Sequence, residues 1–262
     1  MATDSHARVH VDVASRGTGV VAYVTVDNAT KLNIIGSALM AEFVREMTAL
    51  GAREDLRAVV LTGAGDRAFI GGANIHEMAG LDAARARGFI TGLHRMCASL
   101  RDLPVPVIAR INGYALGAGL EVAAACDLRV AAANAVFGMP EVRVGIPSVI
   151  EAALLPGLIG WGRTRELLLL GESIDAETAL RWGLVQRVVP AEGLDAAVEA
   201  CLDALLKAGP RALRLQKQLI RRWEELPVSG AIAAGIDSFA EAYATEEPWR
   251  LMRAFLERKR HR

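Results

Sequence analysis

Through residue 132 the chain alternates short β-rich runs with glycine-bearing turns and helically spaced segments, which leaves few architectures open. Residues 9–14 and 20–26 are rich in valine and separated by SRGTG, the pattern of a hairpin. Residues 34–50 carry apolar side chains at helical spacing (Leu39, Phe43, Met47, Leu50). A short buried strand follows at 58–62, ended by GAGD, and another short run at 68–70. A helix is expected over 83–103, stopped by Pro104 and Pro106. Then come a strand at 107–111, a helix at 119–125 and a strand at 128–132. Repeated strand–turn–helix–strand units bury apolar strands under helices, so they predict an α/β architecture with right-handed crossovers.

After about Pro147 the pattern changes to helix upon helix, expected at 149–158, 162–170, 176–182, 194–208, 211–225 and 229–259, with one strand at 184–189. This reads as an α/β core, 1–195, followed by a helical C-terminal part, 196–262, suited to packing on a neighbouring subunit.

Composition narrows the classes. Apolar residues make up 52% of 262, enough for a substantial core and too many for a disordered chain. Lys plus Arg equal Asp plus Glu at 30 each, so no basic surplus points to nucleic acid or an anionic membrane. The most basic stretch, 258–262 (RKRHR), reads as a solvated tail. Cys97, Cys126 and Cys201 are too few and too scattered for a disulfide framework or a metal site; with no apolar segment in 1–6 and no long uncharged apolar run, a cytoplasmic protein is expected.

Two glutamates stand out. Glu121 lies in 112–127 (NGYALGAGLEVAAACD), on a helix that is otherwise apolar. It is either a helix-start acid favoured by the macrodipole or a buried carboxylate with a task, since an unpaired buried charge is costly. Glu141 lies in 137–147 (FGMPEVRVGIP), and is either a solvated turn residue, a partner for Arg143, or an acid facing the same site. A third segment, 68–78 (AFIGGANIHEM), sets a second small-residue turn before a helix. Each turn taken alone is an ordinary helix start. Together they could aim backbone N–H groups at one carbonyl. His76 and Glu77 are expected at solvent or the cleft mouth, and Asp127 in a structural role.

These three segments, in this order and spacing, resemble the three signatures of the crotonase (enoyl-CoA hydratase/isomerase) superfamily, and the resemblance covers nearly the whole chain. It implies a crotonase-like ββα spiral core with a helical C-terminal trimerisation region, and a homotrimer or dimer of trimers. It places the backbone N–H groups of Ala73 and Ala118 at the family's oxyanion hole, and implies substrate contacts from Gly72, Ile75, Gly117 and Ser148. Glu121 and Glu141 match the two catalytic carboxylates of its hydratases, Glu141 acting on the α-carbon and Glu121 on the water. The acyl-CoA is the substrate, with no metal or further cofactor. Residues 29–33 (ATKLN) resemble the loop along the CoA, which implies contacts from Ala29 and Lys31. Tyr243 and Lys259 resemble positions reaching the adenine end across a subunit boundary.

The chain departs from the family at 147–156 (PSVIEAALLP), where many hydratases have a glycine-rich stretch. Ser148 replaces a glycine whose N–H lies near the reacting water. Val149 and Ile150 are expected to reshape the acyl pocket, and Glu151 to cap a helix. Asn74 replaces the more usual aspartate. The reaction the resemblance implies is hydration of a 2-enoyl-CoA. An isomerase or specialised lyase is the alternative, disfavoured by retention of both acids. A non-catalytic acyl-CoA- or RNA-binding homologue is disfavoured by the intact turns and neutral charge.

Overall fold

The structure, a computed structural model, describes residues 7–260, the side chains of 259 and 260 excepted. The N-terminal segment read for a secretory signal and the end of the basic tail therefore lie outside the described residues. Strands β1 (Arg8–Arg16) and β2 (Gly19–Asp27) form the expected hairpin, with Gly17 turning at φ +61°. Helix α1 (Ser37–Gly51) follows, then β3 (Leu56–Gly63), β4 (Ala68–Ile70), α2 (Ile75–Met78), α3 (Ala83–Asp102), β5 (Val107–Ile111), β6 (Tyr114–Leu116), α4 (Ala118–Ala125), β7 (Leu128–Ala132) and β8 (Val136–Gly138). The C-terminal half holds α5 (Leu155–Leu170), β9 (Ser173–Asp175), α6 (Ala176–Trp182), β10 (Arg187–Val189), α7 (Leu194–Lys207), α8 (Pro210–Glu225), α9 (Val228–Ala242) and α10 (Glu247–Arg260).

The strands sort into two sheets that generate a ββα spiral. One sheet has the order β1-β2-β3-β5-β7-β10, the other β4-β6-β8-β9. Each turn of the spiral places one strand in the first sheet and the next in the second: β3 then β4, β5 then β6, β7 then β8. Successive turns pair in parallel within both sheets.

Through β2, β3, β5 and β7, which pair in parallel, the larger sheet is apolar on both faces, as a parallel sheet under two layers must be. Alternation along β2 and β3 sends Ala22, Val24, Val59 and Leu61 into the main core with α1, α3 and α4. Val21, Ala58 and Val60, with Ile108 and Val130, face α7 through Leu194, Val198 and Leu202. The boundary expected at 195/196 thus falls in the first turn of a helix packed on the core sheet. The expected helix 229–259 is interrupted between Ala242 and Glu247. Pro248 explains the break: it lacks an N–H and fits only a first helical turn. The Glu247 carboxylate accepts the N–H groups of Arg211 and Ala212, stabilising the start of α8.

Asp127 has the structural role expected. Its Oδ2 accepts from Val107 N (2.7 Å) and Lys217 Nζ (2.8 Å), and the same ammonium donates to Leu100 O and Val105 O. Lys217 is only 6% exposed and fastens α8 to the end of α3 and the start of β5. Lys217→Met strands these acceptors and is expected to cost about 1–3 kcal/mol. The lower half of that range applies, because water reaches the half-open Asp127. The result is read as a lower urea midpoint at unchanged slope.

Candidate active site

Two turns and two carboxylates meet at one cavity. The first turn, Gly71-Gly72-Ala73, leaves β4 and is held by Gly71 N donating to Leu32 O (2.8 Å). Ile35 bonds the residues on either side of Ala73, donating to Gly72 O (3.0 Å) and accepting from Asn74 N (2.8 Å). In such a parallel bridge the middle residue's own N–H points away from the partner, so that of Ala73 projects from the opposite edge. The second turn pivots on Gly117 (φ +52°, ψ −119°), where a side chain would be strained. It also has no room: a Cβ there would stand 2.5 Å from Glu141 Oε1. Ala118 opens α4, and the first N–H groups of a helix have no partner within it.

Close backbone approach holds the turns together. A Cβ on Gly119 would lie 1.9 Å from Ile70 O, so α4 rests directly on β4, and Gly72 sits beside Leu116 O.

Glu121 is carried inward by α4 and is 4% exposed. Its Oε1 accepts Ala152 N at 3.2 Å. Burial pushes its carboxyl up to about 8, with the charges of Glu141 and Glu151 adding to the rise and the Ala152 N–H opposing it. Glu141 sits in the 3₁₀ turn Pro140–Val144, half-buried, and its Oε2 accepts Ser148 Oγ at 2.8 Å. The reading of Glu141 as a partner for Arg143 is not what the fold provides, since that guanidinium turns to Leu170 O and Glu172.

The cavity has a volume of about 170 Å³; Ala73, Ala118, Glu121 and Glu141 line it, with apolar walls from Met78, Phe89, Leu93, Leu116, Val144, Ile146 and Val149. It continues into a wider apolar groove of about 750 Å³ between α2–α3 and the 144–149 segment. Among the described residues no group of three or more His, Cys, Asp or Glu is placed to hold a metal ion. Cys97, Cys126 and Cys201 are free and buried.

A family model described as enoyl-CoA hydratase/isomerase matches residues 16–262. The chain belongs to the enoyl-CoA hydratase/isomerase family. It is 36% identical over 244 residues to a short-chain-enoyl-CoA hydratase of Clostridium acetobutylicum, covering 92% of this chain and 93% of that one. To a crotonyl-CoA hydratase of Syntrophomonas wolfei it is 34% identical, covering 92% and 93%. The crystal structure of an enoyl-CoA hydratase from Bacillus anthracis superposes with a TM-score of 0.89 at 31% identity, covering 95% of this chain and 96% of the other. The two sheets and their spiral order are accordingly those of the family's fold.

Of the residues that the enoyl-CoA hydratase/isomerase resemblance singled out, Gly72, Ala73, Ile75, Gly117, Ala118, Glu121, Glu141 and Ser148 all line the cavity. Ala29 and Lys31 do not. They lie on a 3₁₀ turn, Ala29–Lys31, next to the Leu32 carbonyl that holds the first turn. Tyr243 is also absent from the cavity lining and packs against Phe239 and Trp249, ring centroids 5.3 Å away in each case. Lys259 is on α10 and its side chain lies outside the described residues.

Two expectations change, those for Ile150 and Glu151. Val149 lines the cavity, but Ile150 packs into the core with φ +39°. Glu151 caps no helix: its Oε1 takes His94 Nδ1 at 2.9 Å. Asn74 acts as the cap of α2, accepting from His76 N and Glu77 N. Glu77 stays at the surface as expected and accepts from Ser37 N and Oγ, tying α2 to α1. The hydroxyl of Ser148 donates to Glu141 in the site. Serine beside a carboxylate-bearing turn was the available signal for it.

Proposed function

We propose that the protein is an enoyl-CoA hydratase, adding water reversibly across a 2-enoyl-CoA. The observation that carries this reading is that Glu121 and Glu141 line one apolar cavity together with Ala73 and Ala118 of two glycine turns. The thioester oxygen accepts from Ala73 N–H and Ala118 N–H, which stabilise the enolate as charge develops. Such a hole is formed by the backbone, so no metal or further cofactor is required.

The raised carboxyl of Glu121 means that near neutrality this acid holds a proton, the state from which dehydration starts. Hydration starts once that proton has passed to Glu141: water held by the ionised Glu121 then gives it a proton while the water oxygen bonds to C3. Electrons pass to the thioester oxygen, and the enolate takes a proton from Glu141 at C2. Dehydration runs the same steps backwards, with Glu121 protonating the departing hydroxyl. Above about pH 8 Glu121 is ionised, and the proton it passes to Glu141 for delivery to C2 is missing. Activity is therefore expected to fall as pH rises through an apparent value near 8, which belongs to the coupled pair. A profile flat from pH 6 to 10 contradicts this assignment.

The groove beyond the cavity supports acyl groups larger than crotonyl. The outer faces of α9 and α10 expose Ile232, Ile236, Phe239, Phe255 and Leu256, which supports burial against further copies in a trimer or dimer of trimers. The function is tested by loss of enoyl-thioester absorbance with crotonyl-CoA and with longer and branched 2-enoyl-CoAs. Loss with formation of 3-hydroxyacyl-CoA is the expected result. CoA-ester binding without loss across the series overturns the reading.

A further inference from the structure

Behind Glu121 lies a third buried acid that the mechanism above does not use. Glu151 follows Ile150, whose φ of +39° is uncommon for a β-branched residue and turns the next side chain inward. Its carboxylate is 6% exposed. Oε1 takes the His94 Nδ1 bond at 2.9 Å, and Oε2 is buried without a hydrogen-bond partner. The next residue, Ala152, shares its N–H between Val149 O (2.9 Å) and Glu121 Oε1 (3.2 Å). One short turn therefore carries both a carboxylate anchored to α3 and the donor that orients the acid of the site.

We propose that Glu151 and His94 form a positioning pair that holds the Ala152 N–H on Glu121 and, through the charge of Glu151, sets the pH at which the Glu121–Glu141 pair loses its proton.

The surrounding groups set the direction. From α3, His94 and Cys97 face Glu151; from α4, Glu121; and Glu141 faces Glu121 from the 3₁₀ turn Pro140–Val144. The opening of α5, 155–162, contains no titratable residue. Burial, and after it the charges of Glu151 and Glu121, push the Cys97 thiol well up, so it contributes no charge. Glu151 is thus the removable negative charge outside the reacting pair, and it favours the protonated form of Glu121. His94, with its side chain 54% exposed, links that charge to solvent. Without it the buried carboxylate loses the donor on its Oε1.

The proposal rests on the reading of Glu121 as a catalytic acid, so the test pairs kinetics with a titration that needs no turnover. Glu151→Gln retains size and hydrogen bonding and removes the charge. Carbon-13 NMR of protein labelled at the glutamate carboxyls shows Glu121 as the high-titrating signal that disappears in Glu121→Gln. In Glu151→Gln that midpoint, and the alkaline limb of the pH–rate profile, are expected to move down by about half a pH unit or more. His94→Ala is expected to lower kcat roughly tenfold with little change in KM, and His94→Asn, which places an amide donor near Nδ1, to restore most of it. An unmoved midpoint in Glu151→Gln, or a His94→Ala enzyme with wild-type kcat and profile, overturns the proposal. If no 2-enoyl-CoA is hydrated, the hydratase reading fails by itself, and the NMR midpoint still decides the coupling.

Discussion

Glu141→Gln is expected to lower kcat by about 10²–10⁴-fold while folding and CoA-ester affinity stay near wild type. The amide oxygen of glutamine can still accept the Ser148 hydroxyl that the carboxylate accepts at 2.8 Å, so the turn Pro140–Val144 keeps its anchor. What disappears is a group able to give and take a proton at C2. The loss should therefore fall on kcat, with KM little changed. Steady-state kinetics with crotonyl-CoA, alongside calorimetric binding of a saturated acyl-CoA, separates the two effects. A variant with near-normal turnover would place the proton transfer on another residue.

Gly119→Ala is expected to damage both stability and turnover, although residue 119 presents no functional group. Its missing Cβ is what allows α4 to rest on β4: the added carbon would meet Ile70 O at 1.9 Å and Ile70 Cβ at 3.0 Å. Neither neighbour can swing aside, as one is backbone and the other is attached directly to it. Helix α4 must shift outward, and overpacking of this kind costs about 1–3 kcal/mol. The shift carries Ala118 N–H away from the first turn. Misplacement by about 1 Å at a reacting centre costs roughly 10²-fold in rate. Gly88→Ala is the control. Gly88 lies exposed on α3 with nothing within 4 Å of a built Cβ, and alanine there should raise helix stability without touching turnover. Thermal melts and kcat for the two variants test the contrast. Equal behaviour would remove the close approach of α4 and β4 from the account.

How much of this was legible in the sequence depended on whether local pattern or distant contact decides each feature. Strand β5 lies between Pro106 and Asn112, and β7 starts directly after Asp127, so the breakers in the sequence mark these boundaries. The two glycine turns were legible for a related reason: the motifs concentrate small residues where backbone must approach backbone. The pairing of Glu121 with Glu141 came from resemblance to a family, since composition alone left each with an ordinary local reading. Glu151 shows where local reasoning failed. An acid at a helix start normally favours the N-terminus, but the positive φ of Ile150 turns this one toward His94, 57 positions earlier. A clue was present in its apolar neighbours, Val149-Ile150 and Ala152-Ala153, the same setting that marked Glu121. Lys217 was illegible for the opposite reason: it lies on the strongly amphipathic, Arg-rich helix α8, where one more cation looks like surface.

The most direct measurement is incubation of the purified protein with crotonyl-CoA in deuterium oxide, followed by mass and NMR analysis of the acyl group. The account predicts 3-hydroxybutyryl-CoA with one deuterium at C2 and the hydroxyl at C3, and loss of both signals together in Glu141→Gln. Deuterium entering the substrate with no water added to C3 would make the pair of glutamates an isomerase's proton shuttle, and would contradict hydration as the reaction of this site.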